Sequence, residues 1–457
     1  MYPLYNTDLE YIKITPSERQ MSLQQMEFYA FVHFTVNTFT DKEWGDGTES
    51  PEIFNPVCLD CNQWVEAVKS AGMTGLILTA KHHDGFCLWP SAYTEHSVKN
   101  SPYKNGHGDI VKECAEACKK GGIKFGIYLS PWDRNCPVYG QGKAYDDYYC
   151  NQLTELLTGY GDLFCVWFDG ACGEGPNGKK QEYDWERYYS VIRSLQPRAC
   201  ISISGPDIRW CGNEAGDTRK SEWSVIARKL SDGTVIEENA ETLGSREILK
   251  NAEKLLWQPA EVDTSIRPGW FYHKNEDTRV RSLKTLSDIY FRSVGGNSTL
   301  LLNIPPDKNG LLGKEDVKRL KQLGDTIRKS FETCLSEDAV FTADKCDGEN
   351  LIENVKTDSY DTYFRTNDGE NTVTITITLP EKRKIRMAVI KENILLSQRI
   401  ESFTIDCAKE KGFKRLFEGT TVGYKKIARF RPVITDTVRI TITDSRIAPV
   451  ISHIALY

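Results

Sequence analysis

Three features that often reveal a protein's location or partner are missing from this sequence. Its first fifteen residues contain no basic segment followed by an apolar core, so no signal peptide is recognised. No apolar run approaches the roughly 18 residues of a membrane span. Basic clusters are also missing, and the formal net charge of −6 argues against nucleic acid as the main ligand. We therefore expect a cytoplasmic protein that binds neither membranes nor nucleic acid; a signal peptide trimmed from this sequence would make it secreted or periplasmic.

Paired cysteine motifs are scarce, although the chain of 457 residues contains 14 cysteines. Cys58 and Cys61 have the CxxC spacing of a metal or redox site, but no second pair follows at the distance typical of a zinc ribbon. Cys114, Cys118 and Cys165 lie in predicted helices or strands, where a reduced cysteine behaves as a small apolar side chain. Scattered reduced thiols are therefore expected, without a disulfide framework or structural zinc.

The regular feature of the first 330 residues is an alternation of short apolar strands with amphipathic helices. An apolar run, LFCVWF at 163–168, ends abruptly in Asp169, as strands buried on both faces of a parallel sheet often do. The other predicted strands cover residues 29–35, 75–80, 124–130, 200–204, 257–266 and 299–304. Predicted helices cover residues 61–71, 109–120, 145–159, 185–195, 280–294 and 315–331. Seven or eight such units favour an α/β fold, a closed (β/α)8-like barrel of the TIM type.

The pattern changes after about residue 335. Residues 371–379 (NTVTITITL) and 437–443 (TVRITIT) alternate polar and β-branched apolar side chains, which is typical of half-buried antiparallel strands, and residues 451–457 add a candidate last strand. We predict a catalytic barrel over residues 1–335 and a C-terminal antiparallel β-sandwich over residues 336–457 that packs against it. A structural buttress is the default interpretation of the sandwich, and ligand binding is the alternative.

Polar and aromatic side chains gather where the predicted barrel strands end. They are His33, His82, His83, Asp84, Tyr128 and Asp169. Each alone has a structural explanation, such as a core histidine or a helix-capping aspartate, but active sites of barrels lie at the carboxyl ends of the strands. The KHHD segment also suits a metal site, yet neighbouring strand residues point to opposite faces. Neutral imidazoles, which both donate and accept hydrogen bonds, are better suited to sugar hydroxyls.

Retaining glycoside hydrolysis needs a carboxylate nucleophile and a second carboxyl group as acid/base. Asp169 is the candidate nucleophile. Its partner is expected after the fifth strand, in GPDIRWCGNEAGDTRKSEW, where spacing alone does not choose among four acids. These are Asp207, Glu214, Asp217 and Glu222.

Several segments together resemble the α-L-fucosidases of glycoside hydrolase family 29. These segments are FVHFTVNTF, EWGDG, TAKHHDGFCLWPS, GIYLSPWD, VWFDGA and GGNSTLLLNIPPDKNG, in the family's order over about residues 25–330. The segment GPDIRWCGNEAG…SEW further resembles the branch that prefers α-1,3 and α-1,4 linkages in Lewis-type glycans. The C-terminal segment is similar to galactose-binding-like β-sandwich modules.

The resemblance implies particular roles for ten residues. Asp169 would be the nucleophile and Glu214 the acid/base. The implied sugar pocket consists of His33, Glu43, Trp44, His82, His83, Tyr128, Trp167 and Trp270. Trp270 would form the aromatic wall that receives the fucose methyl group, whereas the family's fucose-contacting arginine has no secure counterpart.

The implied reaction is release of terminal α-L-fucose by double displacement, without metal or organic cofactor. The expected partner is a fucosylated oligosaccharide or glycoconjugate, and the oligomeric state is not predicted. Three alternatives remain open: a non-catalytic fucose-binding protein, a metal-dependent barrel hydrolase that uses His82, His83 and Asp84, and an enzyme that acts mainly as a transfucosidase.

Overall fold

The computed structural model describes residues 6–457, so residues 1–5 of the predicted catalytic domain lie outside the described residues. Eight parallel strands form one nearly closed barrel, in the order β5-β4-β3-β2-β1-β10-β9-β6. The barrel strands are β1 (Phe28–Val32), β2 (Gly75–Lys81), β3 (Lys124–Leu129), β4 (Leu163–Phe168), β5 (Cys200–Ile203), β6 (Arg209–Trp210), β9 (Ala260–Ser265) and β10 (Ser298–Asn303). The prediction of a (β/α)8-like barrel is confirmed.

One barrel strand escaped the sequence analysis because it is only two residues long and no helix precedes it. After β5, the chain turns sharply at Ile203, which has a φ of 69°, and begins β6 at Arg209. A single parallel bridge between Ser202 and Ile208, the residue before β6, is the link between the β5 and β6 ends of the sheet, so the barrel is nearly closed. The strand predicted as the sixth, at residues 257–266, is therefore the seventh in chain order. Its barrel part begins at Ala260, because Trp257 belongs to a separate short pairing.

Helices connect most of the barrel strands and pack on the outside of the barrel. Across the described residues they are α1 (Asn6–Tyr11), α2 (Glu18–Gln24), α3 (Val36–Thr40), α4 (Cys61–Ser70), α5 (Ile110–Gly121), α6 (Lys143–Gly159), α7 (Trp185–Leu195), α8 (Arg246–Leu249), α9 (Leu283–Ser293) and α10 (Lys314–Ser330). Asp60, Asp109 and Ser282 accept backbone N–H groups at the starts of α4, α5 and α9, which fixes where these helices begin. Among the helices of residues 6–457, none combines the length and the apolarity needed to cross a bilayer.

The inside of the barrel is filled by large aromatic side chains below the strand ends. Phe31, Tyr128 and Trp167 are buried there, and the Phe31 ring centroid lies 5.8 Å from that of Tyr128 and 5.1 Å from that of Trp167. Because this aromatic layer is close-packed, it supports the polar side chains just above it and limits their movement. All fourteen cysteines are free thiols, including Cys58 and Cys61.

The C-terminal strands form the predicted β-sandwich, built from one antiparallel sheet in which two long strands pass through both layers. The remaining strands are β7 (Val225–Ile226), β8 (Leu256–Trp257), β11 (Val340–Ala343), β12 (Phe364–Arg365), β13 (Val373–Glu392), β14 (Ile400–Lys409), β15 (Gly412–Gly419), β16 (Lys426–Ser445) and β17 (Val450–Leu456), of which β7 and β8 pair with each other outside the sheet. β13 and β16 pair on both sides of a register shift between Thr378 and Arg383. The first half of β13 also pairs with β11 and the second half with β17, so each half belongs to a different layer.

The sandwich and the barrel pack together through buried polar contacts. The side chain of Asn297 accepts a hydrogen bond from the backbone N–H of Tyr424 and donates to the carbonyl of Glu222. Gln398 donates to the same Glu222 carbonyl, at 3.0 Å. Each buried polar group here has a partner in the other domain, which ties the sandwich to the loop that follows β6.

Candidate active site

Asp169 lies directly after β4, at the carboxyl end of the barrel, as predicted. Its Oδ1 accepts a hydrogen bond from the backbone N–H of Ala171 at 2.7 Å, and its Oδ2 lies 3.3 Å from the hydroxyl of Tyr128. Burial and the charge of Asp169 raise the pKa of Tyr128 well above its ordinary value. This phenol therefore stays protonated and donates a hydrogen bond to Asp169. Asp169 is partly exposed, with 27% of its side-chain surface accessible, so a ligand can reach it.

His83 faces Asp169 from the end of β2. Its Nδ1 lies 2.7 Å from Oγ of Ser130, whose own proton goes to the carbonyl of Trp132. Ser130 must therefore accept from His83, which leaves Nε2 without a proton, 3.9 Å from Oδ2 of Asp169. Burial lowers the pKa of His83, and this effect outweighs the nearby charge of Asp169, which acts to raise it. The result is a neutral imidazole with a hydrogen-bond acceptor beside the carboxylate.

His33 and Asn303 connect the first and the last barrel strands. Asn303 donates its amide protons to Oγ of Ser265 at 2.9 Å and to the carbonyl of Trp270 at 2.8 Å. Its oxygen must then face Nδ1 of His33, 2.8 Å away, so this nitrogen carries the proton and Nε2 is an acceptor. Burial lowers the pKa of His33 to about 3.

His82 lies between the other two imidazoles. Its ring centroid is 5.7 Å from that of His33 and 4.1 Å from that of His83, and its ring stacks on Tyr128 at 5.6 Å. Burial lowers the pKa of His82 well below its ordinary value, and the two neighbouring histidines act in the same direction. Nδ1 of His82 is buried and has no hydrogen-bond partner among the described residues.

Asp84 is not part of this cluster. Its carboxylate accepts hydrogen bonds from the backbone N–H of Phe86 and from the hydroxyl of Thr35, and the whole side chain is buried. Burial raises the pKa of Asp84 to about 7. Within residues 6–457, no three His, Cys, Asp or Glu side chains gather closely enough to hold a metal ion.

Trp167 lies under the site rather than on its open side. Its indole N–H donates to Glu261 at 2.7 Å, and its ring centroid is 5.2 Å from that of Tyr128. Glu261 is fully buried on β9, and burial raises the pKa of this carboxyl group to about 7. Because the indole N–H is used inside the barrel, Trp167 offers only its ring to the site.

Glu43 and Trp270 lie on two different loops that meet at the rim. Oε2 of Glu43 accepts the backbone N–H of Trp270 at 2.8 Å, and Oε1 accepts that of Phe271 at 3.1 Å. The Trp270 ring lies 5.2 Å from that of His33. Glu43 therefore fixes the position of an aromatic wall next to the histidines.

Trp44 is the most exposed member of the predicted pocket, with 56% of its surface accessible. Its ring stands nearly perpendicular to those of His83 and Trp132, with centroid distances of 5.4 and 5.6 Å. An exposed indole held at a rim in this way suits the apolar face of a sugar.

Glu214 lies on the loop after β6, on an exposed part of the chain. Its backbone carbonyl accepts the hydroxyl proton of Thr264 at 2.8 Å, and its Oε2 accepts the indole N–H of Trp270 at 3.2 Å. The side chain of Glu214 is therefore exposed and held at the rim by Trp270. Among residues 6–457, no hydrogen bond or ion pair joins Glu214 to Asp169: Glu214 contacts Trp270, and Asp169 contacts Tyr128 and His83.

The other three acids from the same segment are held in ion pairs elsewhere. Buried Asp207 pairs with Arg19 and Arg193, and buried Glu222 with Arg209 and Arg219. Asp217 pairs with Arg292 on α9 at 2.7 Å. Of the four candidates, only Glu214 makes a hydrogen bond to a member of the cluster around Asp169, namely Trp270.

All ten predicted residues belong to one connected cluster, and the sequence analysis missed four of its supporting members. Those are Ser130, Trp132, Asn303 and His273. The first three lie within the segments GIYLSPWD and GGNSTLLLN, which were singled out as motifs without a role for these positions. Their roles depend on contacts between distant strands, which spacing does not reveal.

A parallel barrel with neutral imidazoles, indole rings and two carboxyl groups at its carboxyl end is the architecture of a glycoside hydrolase. The family model described as "Alpha-L-fucosidase" matches residues 12–331. The chain therefore belongs to the α-L-fucosidase family, glycoside hydrolase family 29.

Relatives of this chain agree with that assignment. It is 40% identical over 453 residues to Alpha-L-fucosidase 1 of Arabidopsis thaliana, covering 97% of this chain and 87% of the relative. The crystal structure of a putative α-L-fucosidase from Bacteroides ovatus is 45% identical, with a TM-score of 0.88 over 100% of this chain and 77% of the other. A Ruminococcus gnavus GH29 fucosidase in complex with fucose is 33% identical, with a TM-score of 0.85 over 97% and 95% of the two chains.

The protonation state of His33 can be tested by NMR titration. With a pKa of about 3, His33 stays neutral in the folded protein while it protonates in the unfolded chain near pH 6.5. As the pH falls from 6.5 towards 3, His33 should therefore lower the free energy of unfolding by about 1.4 kcal/mol per pH unit. We expect the Cε1–Hε1 signal of His33, assigned with His33→Asn, not to titrate near pH 6.5. A signal that titrates there would contradict the neutral state that burial imposes on His33.

Proposed function

We propose that this chain is a retaining exo-α-L-fucosidase in which Asp169 is the nucleophile and Glu214 the acid/base. The observation that carries the proposal is the placement of Asp169: two hydrogen-bond donors, Tyr128 and the N–H of Ala171, hold its carboxylate at an accessible position beside a neutral His83. A carboxylate with fixed donors on both oxygens is oriented for attack on an anomeric carbon.

The neutral histidines supply the recognition of a deoxy-sugar. His33 and His83 each have a proton-free Nε2, so each accepts a hydrogen bond from a sugar hydroxyl. Trp270 provides an apolar surface next to His33, which suits the C6 methyl group of fucose.

The reaction then follows two displacements. Asp169 attacks the anomeric carbon while Glu214 gives its proton to the departing glycosidic oxygen, so that the C–O bond to the aglycone breaks as the bond to Asp169 forms. In the second step, water attacks the anomeric carbon, the bond to Asp169 breaks and frees its carboxylate, and Glu214 takes up the proton of that water. Because Glu214 is exposed in the free enzyme, the bound substrate itself, together with Trp270, must exclude water around this carboxyl group.

We further propose that the preferred bond is an α-1,3 or α-1,4 linkage in Lewis-type or related branched glycans. The support is the loop 211–217, whose sequence resembles that of the linkage-restricted branch and whose backbone is fixed at Thr264. This loop borders the side from which the aglycone leaves, so its shape decides which neighbouring sugars fit.

The role of Asp169 is tested with Asp169→Ala. Loss of the nucleophile should lower kcat on an aryl fucoside by a factor of about 10⁴ or more, by analogy with other covalent nucleophiles. Azide should restore part of the activity and yield the fucosyl azide of inverted anomeric configuration. As a matched control, Asp162→Ala removes an exposed acid paired with Arg198 and should leave kcat unchanged. Unaltered turnover of Asp169→Ala would remove Asp169 from this role.

The role of Glu214 is tested by comparing leaving groups. Glu214→Ala should slow release of fucose from a natural glycan by about 10²-fold or more, and far less from an aryl fucoside that leaves without protonation. Asp217→Ala, three positions along the same loop and paired with Arg292, should leave the rates on both substrates within about twofold. Equal losses on both substrates in Glu214→Ala would reopen the choice of the acid/base.

The linkage proposal is tested with the unmodified enzyme on α-1,2, α-1,3, α-1,4 and α-1,6 fucosides and p-nitrophenyl fucoside. We expect kcat/KM for α-1,3 and α-1,4 bonds in branched glycans to exceed that for the others by about 10²-fold, which corresponds to roughly 2.7 kcal/mol of transition-state discrimination. Comparable activity on all four linkages would overturn the linkage proposal and leave the fucosidase proposal intact.

A further inference from the structure

His273 connects the two loops that form the rim of the site, and neither the motifs nor the proposed mechanism gives it a role. It follows Trp270 on the loop after β9. Its Nε2 lies 2.6 Å from Oε1 of Glu43, and its Nδ1 lies 2.7 Å from Oδ1 of Asp41. Both acids belong to the loop after α3, which also carries Trp44. The imidazole ring therefore spans two carboxylates across the gap between the loops.

The contacts of Glu43 show what this bridge achieves. Its two oxygens accept three hydrogen bonds from one short segment, namely the N–H groups of Trp270 and Phe271 and the imidazole of His273. The chain also approaches closely at Gly269, where an added Cβ would lie 2.6 Å from Oε1 of Glu43 and 3.0 Å from Cδ2 of His273. Any shift of His273 would therefore move Glu43 and the Trp270 backbone together.

The bridge has a definite charge state. Each ring nitrogen faces a carboxylate oxygen, and a neutral imidazole has only one N–H, so the doubly protonated imidazolium is the form that satisfies both contacts. Burial acts to lower the pKa of His273, but the hydrogen bonds and charges of Asp41 and Glu43 outweigh it, and the pKa is raised. His273 is unlike the three site histidines, whose pKa values burial lowers.

Several other charged groups of the two loops have partners of their own, including Lys42, which pairs with Asp46 at 3.1 Å. Lys274 pairs with Asp277 at 2.6 Å, and Glu276 accepts the backbone N–H of Gly269. Arg267 pairs with Asp316 and Asp277. Asp41 and Glu43 are the carboxylates that contact His273 and act to raise its pKa.

We propose that His273 is a positioning residue that clamps the loops of Glu43 and Trp270 together as an imidazolium, and that release of its proton opens this clamp and weakens sugar binding. The inference rests on the proposed function, because Glu43 and Trp270 are taken as parts of the fucose pocket. Deprotonation leaves one nitrogen lone pair facing a carboxylate oxygen, which turns an attraction into a repulsion.

The sign of the pH dependence follows from the raised pKa. The clamp is complete at pH values below the pKa of His273 and is lost as the pH rises through it, so KM should increase on the alkaline side. The rate constant kcat should change less, because His273 touches neither Asp169 nor Glu214 in any hydrogen bond of the described chain.

Three variants test the clamp on p-nitrophenyl fucoside. His273→Gln should raise KM about tenfold, the loss of one charge-assisted hydrogen bond, with a smaller effect on kcat and without the alkaline rise. Asp41→Asn leaves Glu43 in place but removes one carboxylate from His273, so the alkaline rise of KM should move to lower pH. Asp41 suits this test because 61% of its side chain is exposed, which makes misfolding of the variant a minor concern. The control His107→Gln changes an exposed histidine outside the site and should leave KM and its pH profile unchanged.

NMR titration gives a readout that does not depend on turnover. The signal of His273 should titrate above its ordinary value of 6.5 in the unmodified protein and at lower pH in Asp41→Asn.

Failure to release fucose by the unmodified enzyme would overturn the proposed function, whereas an active enzyme in which His273→Gln keeps the KM and pH profile of the unmodified form would overturn the clamp. A His273 signal that titrates at or below 6.5, or that does not respond to Asp41→Asn, would overturn it as well.

Discussion

The site depends on the orientation of one side-chain amide. Asn303 ends the last barrel strand, and its two N–H bonds are committed to Ser265 and to the Trp270 carbonyl. Its oxygen can then only face His33, which sets the tautomer of that ring and leaves an acceptor for the ligand. Asn303 thus connects the end of β10 with His33 after β1, with Ser265 on β9 and with Trp270 of the aromatic wall. Each of these three residues is more than 30 positions away from Asn303 in the chain. Geometry at the sugar is therefore a property of the closed barrel rather than of any one loop.

Burial and charge are divided between two zones of the site. Below the sugar position, His33, His82 and His83 are buried enough to stay neutral, and Tyr128 keeps its proton, so this zone offers hydrogen bonds without positive charge. Negative charge is left to the partly exposed Asp169. The rim works in the opposite way, because His273 meets two carboxylates and retains its proton. One residue type therefore fills two roles, according to whether its neighbours are apolar or acidic.

Sequence alone predicted the barrel because its strands are long apolar runs that end in polar residues, as in LFCVWFD. It missed β6 because this strand is only two residues long and follows a sharp turn at Ile203, so it leaves no periodic pattern to recognise. The same limit applies to the acids of the following loop. Asp207, Asp217 and Glu222 are acidic residues like Glu214, so residue type does not distinguish them. What distinguishes them is that each forms an ion pair with an arginine, in some cases one distant in the chain, whereas Glu214 forms none in the described part of the chain. The galactose-binding-like character of the sandwich, the domain boundary and the cellular location remain predictions.

The shortness of β6 has a consequence for motion. Main-chain hydrogen bonds hold a barrel together strand by strand, and this strand contributes two residues where its neighbours contribute four or six. We therefore expect transient local opening of the segment from 203 to 217 to cost less free energy than opening of the longer strands, and its amide hydrogens to exchange faster. Glu214 lies on this segment, so the residue proposed as the acid/base belongs to a weakly paired part of the barrel, whereas Asp169 follows a strand of six residues.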